Sequence, residues 1–129
     1  MRNFRQLAIW QRSQALAVEI VHLDDRRGRQ RAPGLMTQLR RAAMSVPANI
    51  AEGCGHDSPL EFVRFLGIAV ASAVELESHL IMARSAMVIP PARADALIEE
   101  VIAVRRMCDR LRVVVRRGEV GGHGSGRAN

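Results

Sequence analysis

From Phe62 onward, apolar residues recur at alternating four- and three-residue steps: Phe62, Leu66, Ala69, Ala73, Leu76, Leu80, Ala83 and Met87. No strand keeps that spacing, because a strand alternates its faces every second residue. The run predicts one long helix from Pro59 to about Met87 with a heptad-like seam along one side. Val63, Val70, Val74 and Ile81 form a second apolar stripe about a quarter-turn away. Together the stripes cover about half the helix, more than one neighbour needs. The helix is therefore either central in a bundle or also buried against another subunit.

The segments around this helix follow the same rule. Upstream, Leu35, Leu39, Ala42, Ala43, Val46 and Ile50 make one helical stripe, and Gln38, Arg41, Ser45, Asn49 and Glu52 make a polar one beside it. Pro33 and Gly34 introduce this helix, and Pro47 inside it predicts a kink by removing a donor and crowding the Ala43 carbonyl. It breaks at Gly53-Cys54-Gly55, with Gly53 as the expected positive-φ residue. Ser58-Pro59-Leu60-Glu61 then reads as a capping box with Pro at the first helical position. A first helix runs to about Leu23, after a weak box from Asn3 and Gln6, with Ile9, Trp10, Leu16, Ala17, Ile20 and Val21 on its apolar face. Trp10 reads as a core anchor in preference to a base-stacking residue. Asp24 to Ala32 reads as a polar loop. After Ile89-Pro90-Pro91, a last helix carries Leu97, Val101, Val104, Cys108, Leu111 and Val115 at the same four-three spacing. Periodicity thus predicts an all-α, antiparallel up-down-up-down four-helix bundle over residues 1–117. Residues 118–129, rich in Gly and poor in apolar residues, read as a disordered tail.

Composition narrows the function. The formal net charge is +6 and all 19 cationic residues are Arg, which favours polyanionic partners. Two cysteines without paired spacing argue against a disulfide framework or zinc module and fit a reducing cytoplasm. There is no signal-peptide run, and no uncharged apolar stretch approaches bilayer length, so a soluble cytoplasmic protein with no membrane partner is expected. Catalysis is not expected either. His22, His56, His79 and His123 sit on separate elements, Cys54 beside His56 reads as loop filler, and no phosphate loop has its lysine. No cofactor, metal or catalytic residue is assigned. The Ser/Asn/Glu stripe reads as a polar contact between helices or subunits, with Arg40 or Arg41 as partners.

The strongest functional signal is the arginine run of the last helix. Arg106, Arg110 and Arg117 lie opposite the apolar seam, and Arg105, Arg112 and Arg116 flank it, with only Asp109 to neutralise them. Arg106 and Arg110 repel at i,i+4, so local helix stability does not ask for them. Phosphate binding does, through counterion release; a solvated face is the competing reading. Arg26, Arg27, Arg29 and Arg31 form a second basic group between the first two helices, for which a solvated loop is the more frequent explanation. The few aromatics read as buried, so binding would follow backbone charge and not bases.

Several motifs carry a resemblance. Gln38-Leu39-Arg40-Arg41-Ala42-Ala43, then Ser45-Val46-Pro47-Ala48-Asn49-Ile50-Ala51-Glu52-Gly53, then Glu61-Phe62 and Arg64-Phe65-Leu66, resemble the bacterial proteins encoded in 23S rRNA intervening sequences. The accessory variability-determinant protein of diversity-generating retroelements is similar to that group. Phe4, Leu7 and Trp10-Gln11 match too, as do Ser72, Glu75, Leu76 and Glu77, so that the resemblance spans about residues 4 to 115. It implies a ring-shaped homopentamer of four-helix bundles, no catalytic activity, and structural roles for Arg40, Arg41, Ser45, Pro47, Asn49, Glu52, Gly53 and Glu75. The retroelement relatives imply nucleic acid and a reverse transcriptase as partners. Relatives usually carry basic residues after the glycine turn; this chain has His56 and Asp57 there. The sequence therefore predicts a non-enzymatic, basic, oligomeric accessory protein that binds RNA or DNA through surface Arg. The alternative is a scaffold whose Arg face docks an acidic protein without nucleic acid.

Overall fold

A computed structural model describes residues 2–118. The described residues form helices and no strand: α1 (Ala8–Val21), α2 (Arg26–Arg31), α3 (Pro33–Cys54), α4 (Pro59–Ser85) and α5 (Pro91–Arg116), preceded by a 3-10 turn at Phe4–Gln6. The expected tail lies outside the described residues from residue 119 on. Where Asn3 and Gln6 suggested a capping box, Asn3 instead caps the 3-10 turn by accepting from the Arg5 amide at 3.2 Å.

The four long helices enclose one apolar core. α3 packs on α4, α4 on α5, and α1 closes against both α3 and α5. The α4 seam is buried from Phe62 to Ala83, and Leu97, Val101, Val104, Cys108 and Val115 meet it from α5. Burying such side chains contributes roughly 1.5–3 kcal/mol each before chain entropy is subtracted. Pairings fix the register. Ser45 of α3 meets Ser72 of α4 at 2.8 Å, and Gly53 lies against Phe62 and Phe65. Arg84 of α4 bonds Asp95 of α5 at 2.8 Å, Glu77 faces Arg105, and Gly67 lies under Arg112. Charge joins α1 to α5: Arg12 holds Glu100 through two nitrogens, at 2.8 and 3.0 Å.

Helix ends follow the sequence where the chemistry is local. Ser58 accepts from the Glu61 amide at 3.3 Å and Pro59 occupies the first turn, as a cap requires. The reciprocal half of the capping box does not form: the Glu61 carboxylate bonds Arg64 at 3.2 Å instead of the Ser58 amide. Pro47 sits within the continuous span of α3.

Three expectations need correction. Asp24 to Ala32 is not simply a loop: Arg26–Arg31 is a short helix, and Gly28 presses on the core so closely that a Cβ there would collide with Met36. Gly53 does not have positive φ; the only glycine that does, among the described residues, is Gly118. Gly53 lies inside α3, and its hydrogen lets α4 approach: a Cβ would sit 2.9 Å from Phe65 Cβ. Met87 is not the last rung of the α4 seam. α4 ends at Ser85, and Met87, at φ 57°, is the left-handed residue of a Schellman cap. The Val88 amide donates to Ala83 O (2.9 Å) and the Met87 amide to Arg84 O (3.1 Å), and Val88 and Ile89 turn into the core. By length and composition α4 is also long and apolar enough to cross a membrane, with 33% of its most apolar window buried, but each such window carries Glu75, so no uncharged stretch of that length occurs in it.

Candidate nucleic-acid interface

The six arginines of α5 divide into two groups once the helix is packed. Its seam turns Leu97, Val101, Val104, Cys108 and Val115 inward. Arg106, Arg110 and Arg116 are exposed, with no ion pair among the described residues; Arg117, also exposed, is the C-terminal cap residue. Arg105 and Arg112 are different. Their side chains are 29% and 25% exposed and lean toward α4. Arg105 faces Glu77 at 3.9 Å, and Arg112 bonds Asp109 at 3.2 Å while its guanidinium lies over Gly67. Both Nε atoms are buried without a hydrogen-bond partner. Asp109 is therefore not the only neutralising residue, because Glu77 comes from the neighbouring helix.

The α2 arginines are separate from this group. Arg26 holds Asp24 at 2.8 Å, and this bond raises its pKa. Arg27 and Arg31 are exposed, and Arg29 lies in the same short helix. Gly28 lies beside Val88, just past the end of α4, whereas Arg112 lies over Gly67 near its start. At 1.5 Å per residue, those two levels are roughly 30 Å apart along the bundle.

Other arginines stand at the same end as the last turns of α5. The Arg2 amide donates to Cys54 O at 3.0 Å, at the end of α3, and its guanidinium lies 4.2 Å above the Phe62 ring. Arg5 lies over Phe4 at 4.8 Å and Arg64 over Phe65 at 4.4 Å, with His56 stacked on Phe65 at 5.1 Å. Sequence reasoning missed this group, though the adjacent pairs Phe4-Arg5 and Arg64-Phe65 were a signal. The expectation that the aromatics are buried also needs correction. Phe62 is fully enclosed, but Phe4, Trp10 and Phe65 are only partly covered, because they rim the end of the bundle. Trp10 packs against the core and meets Phe4 edge-on at 4.9 Å.

The polar stripe of α3 makes a contact between helices. Ser45 Oγ and Ser72 Oγ share a hydrogen bond, and Asn49 Nδ2 donates to Ser45 O at 2.8 Å and to its Oγ at 3.0 Å. Arg40 and Arg41 are not its partners. Arg40 reaches Asp25 at 3.3 Å and the Leu23 carbonyl at 3.4 Å, while Arg41 is exposed. Pro47 is buried, Glu52 is exposed, and Glu75 pairs with His79 at 3.2 Å. Cys54 is not loop filler but a buried core residue. Burial pushes its thiol pKa up, and burial with the nearby Asp109 charge pushes Cys108 up to about 12. Both shifts disfavour a thiolate nucleophile. No group of three metal-ligating side chains occurs among the described residues.

These features define a basic protein whose described residues form a helical bundle, with three exposed, unpaired arginines along its last helix. The chain belongs to the 23S rRNA-intervening sequence protein family, whose model matches residues 5–110. A crystal structure of a protein of unknown function from the S23 ribosomal protein family of Bacteroides thetaiotaomicron is similar in fold, with a TM-score of 0.74. The two are 21% identical, and the match covers 81% of this chain and 98% of that one. No curated protein matches the chain.

Proposed function

We propose that this protein is a non-enzymatic accessory factor that binds RNA or DNA through its surface arginines. One observation carries the reading: Arg106, Arg110 and Arg116 stand exposed on α5 without a carboxylate partner. An unpaired cationic ridge gains from phosphates, because each contact releases condensed counterions. The exposed Arg117 extends the ridge, and Arg2, Arg5 and Arg64 add charge at the same end of the bundle. Arg105 and Arg112, already engaged with carboxylates, contribute field more than direct contact. The α2 group is a secondary surface. The reading includes an antiparallel up-down-up-down four-helix bundle, supported by pairings whose numbers rise on one helix as they fall on the next. It also includes a cytoplasmic, ring-shaped homopentamer acting with a reverse transcriptase, which rests on the resemblance to retroelement accessory proteins. Five copies would carry about +30, enough to attract a polyanion over long range.

The test is fluorescence anisotropy with labelled RNA and DNA across a salt series. Arg106→Gln/Arg110→Gln/Arg116→Gln should keep its helicity and lose affinity about equally for all sequences. Its salt slope should become shallower by up to about one unit per lost phosphate contact. Wild-type protein that binds neither polymer at low salt removes the nucleic-acid reading. A scaffold that docks an acidic protein then takes its place, a reading favoured by the exposed Val113 on the same helix.

A further inference from the structure

The planar side chains at one end of the bundle are stacked but not enclosed. Phe65 stands outside the apolar core. The His56 ring lies on it at 5.1 Å with 17° between the planes, and the Arg64 guanidinium lies 4.4 Å from its centre. His56 is half-buried, so the stack ends at solvent. Fully buried Phe62 and Trp10 already pack on the core at this end, so closing the core does not explain the outer pair. Beside the stack lies a cleft of about 390 Å³. Phe4 and Ala51 give it apolar walls, Arg2 and Arg5 give it charge, and Gly55 joins it to His56, the next residue. Arg2 and Arg5 have no ion pair among the described residues. Of the nearby carboxylates, Glu61 is engaged by Arg64 at 3.2 Å, and Asp57 has a contact of its own.

We infer that this end of the bundle is a site for unpaired nucleotides: bases of a single strand lie against the His56–Phe65 stack and Phe4, and Arg2 and Arg5 meet its phosphates. This rests on the proposed nucleic-acid reading and adds a place for bases, which the α5 ridge, without an aromatic residue, does not offer. An unpaired strand matches both halves of the site, with open base faces for the planar groups and one charge per phosphate for the arginines. A duplex keeps its base faces inside its own stack and presents only phosphates here. An acidic peptide matches the arginines and leaves the rings unmatched. Every base has a face to stack, so the site carries little sequence preference.

The test is the affinity for two labelled probes at one low salt concentration: a short mixed-sequence DNA strand, and an abasic strand with the same number of phosphates. Wild type should bind the base-bearing strand at least about fivefold more tightly, the effect of one stacked base. His56→Ala/Phe65→Leu removes the stack without changing the formal net charge. It should lose at least about fivefold in affinity for the base-bearing strand and nothing for the abasic one. Circular dichroism checks folding, and His56→Ala alone, at a half-buried position, stands in if the double variant unfolds. Equal wild-type affinity for the two strands overturns this inference and leaves the α5 ridge. A preference that persists undiminished in the folded variant places the bases elsewhere and overturns the site. Wild type that binds neither strand overturns the nucleic-acid reading and this inference together; if it then binds a polyglutamate peptide, the arginines serve an acidic protein.

Discussion

The two apolar stripes of α4 look alike in sequence and part along the helix: the seam stays buried to Ala83, whereas the second stripe is buried at Val63, partly covered at Val70 and half exposed from Val74 on. Leu76 and Leu80 on the seam are fully buried, while Val74 and Ile81, one or two residues away, are half exposed. A helix in a bundle of this size is covered by its neighbours only over the sector that faces the centre. Side chains beyond that sector bury only part of their surface and contribute correspondingly less to the isolated fold. The seam therefore carries stability, and the outer stripe from Val74 on leaves apolar surface uncovered.

Substitution can break this contrast. Leu76→Ala should destabilise the bundle by about 2–5 kcal/mol, since it deletes buried methyl groups and leaves a cavity. Ile81→Ala should cost clearly less, about 0.5–1 kcal/mol, because only half of that side chain is covered. Urea denaturation reads both, and similar losses at the two positions would erase the distinction between the stripes. A smaller effect sharpens it at the α3–α4 contact. Gly53→Ala should cost about 1–3 kcal/mol by overpacking against Phe62 and Phe65, although alanine is the better helix former. Gly34→Ala is the control: no atom lies within 4 Å of its added Cβ, so it should not destabilise. A Gly53→Ala protein with an unchanged thermal midpoint would show that the helices have room to part. The smallest effect lies just beyond the seam. Met87→Gly should stabilise by up to about 1 kcal/mol, because glycine adopts the left-handed conformation without strain and the exposed Met87 side chain loses little packing. A lowered thermal midpoint would mean that the Met87 side chain matters more than its backbone.

Most of the architecture was legible because it rests on spacing. The four-three rhythm located all four long helices, and nearly every seam residue from Leu39 to Val115 is buried. What escaped depends on partners distant in the chain. Nothing near Gly53 in sequence distinguishes a close approach from a turn; the difference lies in Phe62 and Phe65 on the next helix. The short α2 helix was hidden by its polarity, since among its described positions only Gly28 is buried and glycine has no hydrophobic signature. In the candidate site, the outward direction of Arg106 and Arg110 followed from the helical wheel. The capture of Arg105 by Glu77 did not, because that carboxylate lies 28 positions earlier and reaches it only through the packing of α4 on α5. The aromatic–arginine pairs at the bundle end were visible as neighbours in sequence, but their grouping required three helix ends to converge.

The two enclosed cysteines make the molecule chemically quiet toward thiol reagents. With its pKa near 12, Cys108 has a thiolate fraction of only about one in ten thousand at pH 8, and Cys54 is shielded in the same core. A cysteine introduced on the surface, at position 81 for example, would therefore be the one reactive sulfur on each folded chain. Dyes, spin labels or crosslinkers can then be attached at a chosen point without first removing the native residues. The same shift bounds the working pH. The folded state holds the Cys108 proton more tightly than the unfolded chain does, so its share of stability is intact below about pH 9 and is progressively lost as pH rises toward 12. Labelling near neutral pH keeps the native thiols silent and the bundle at full strength.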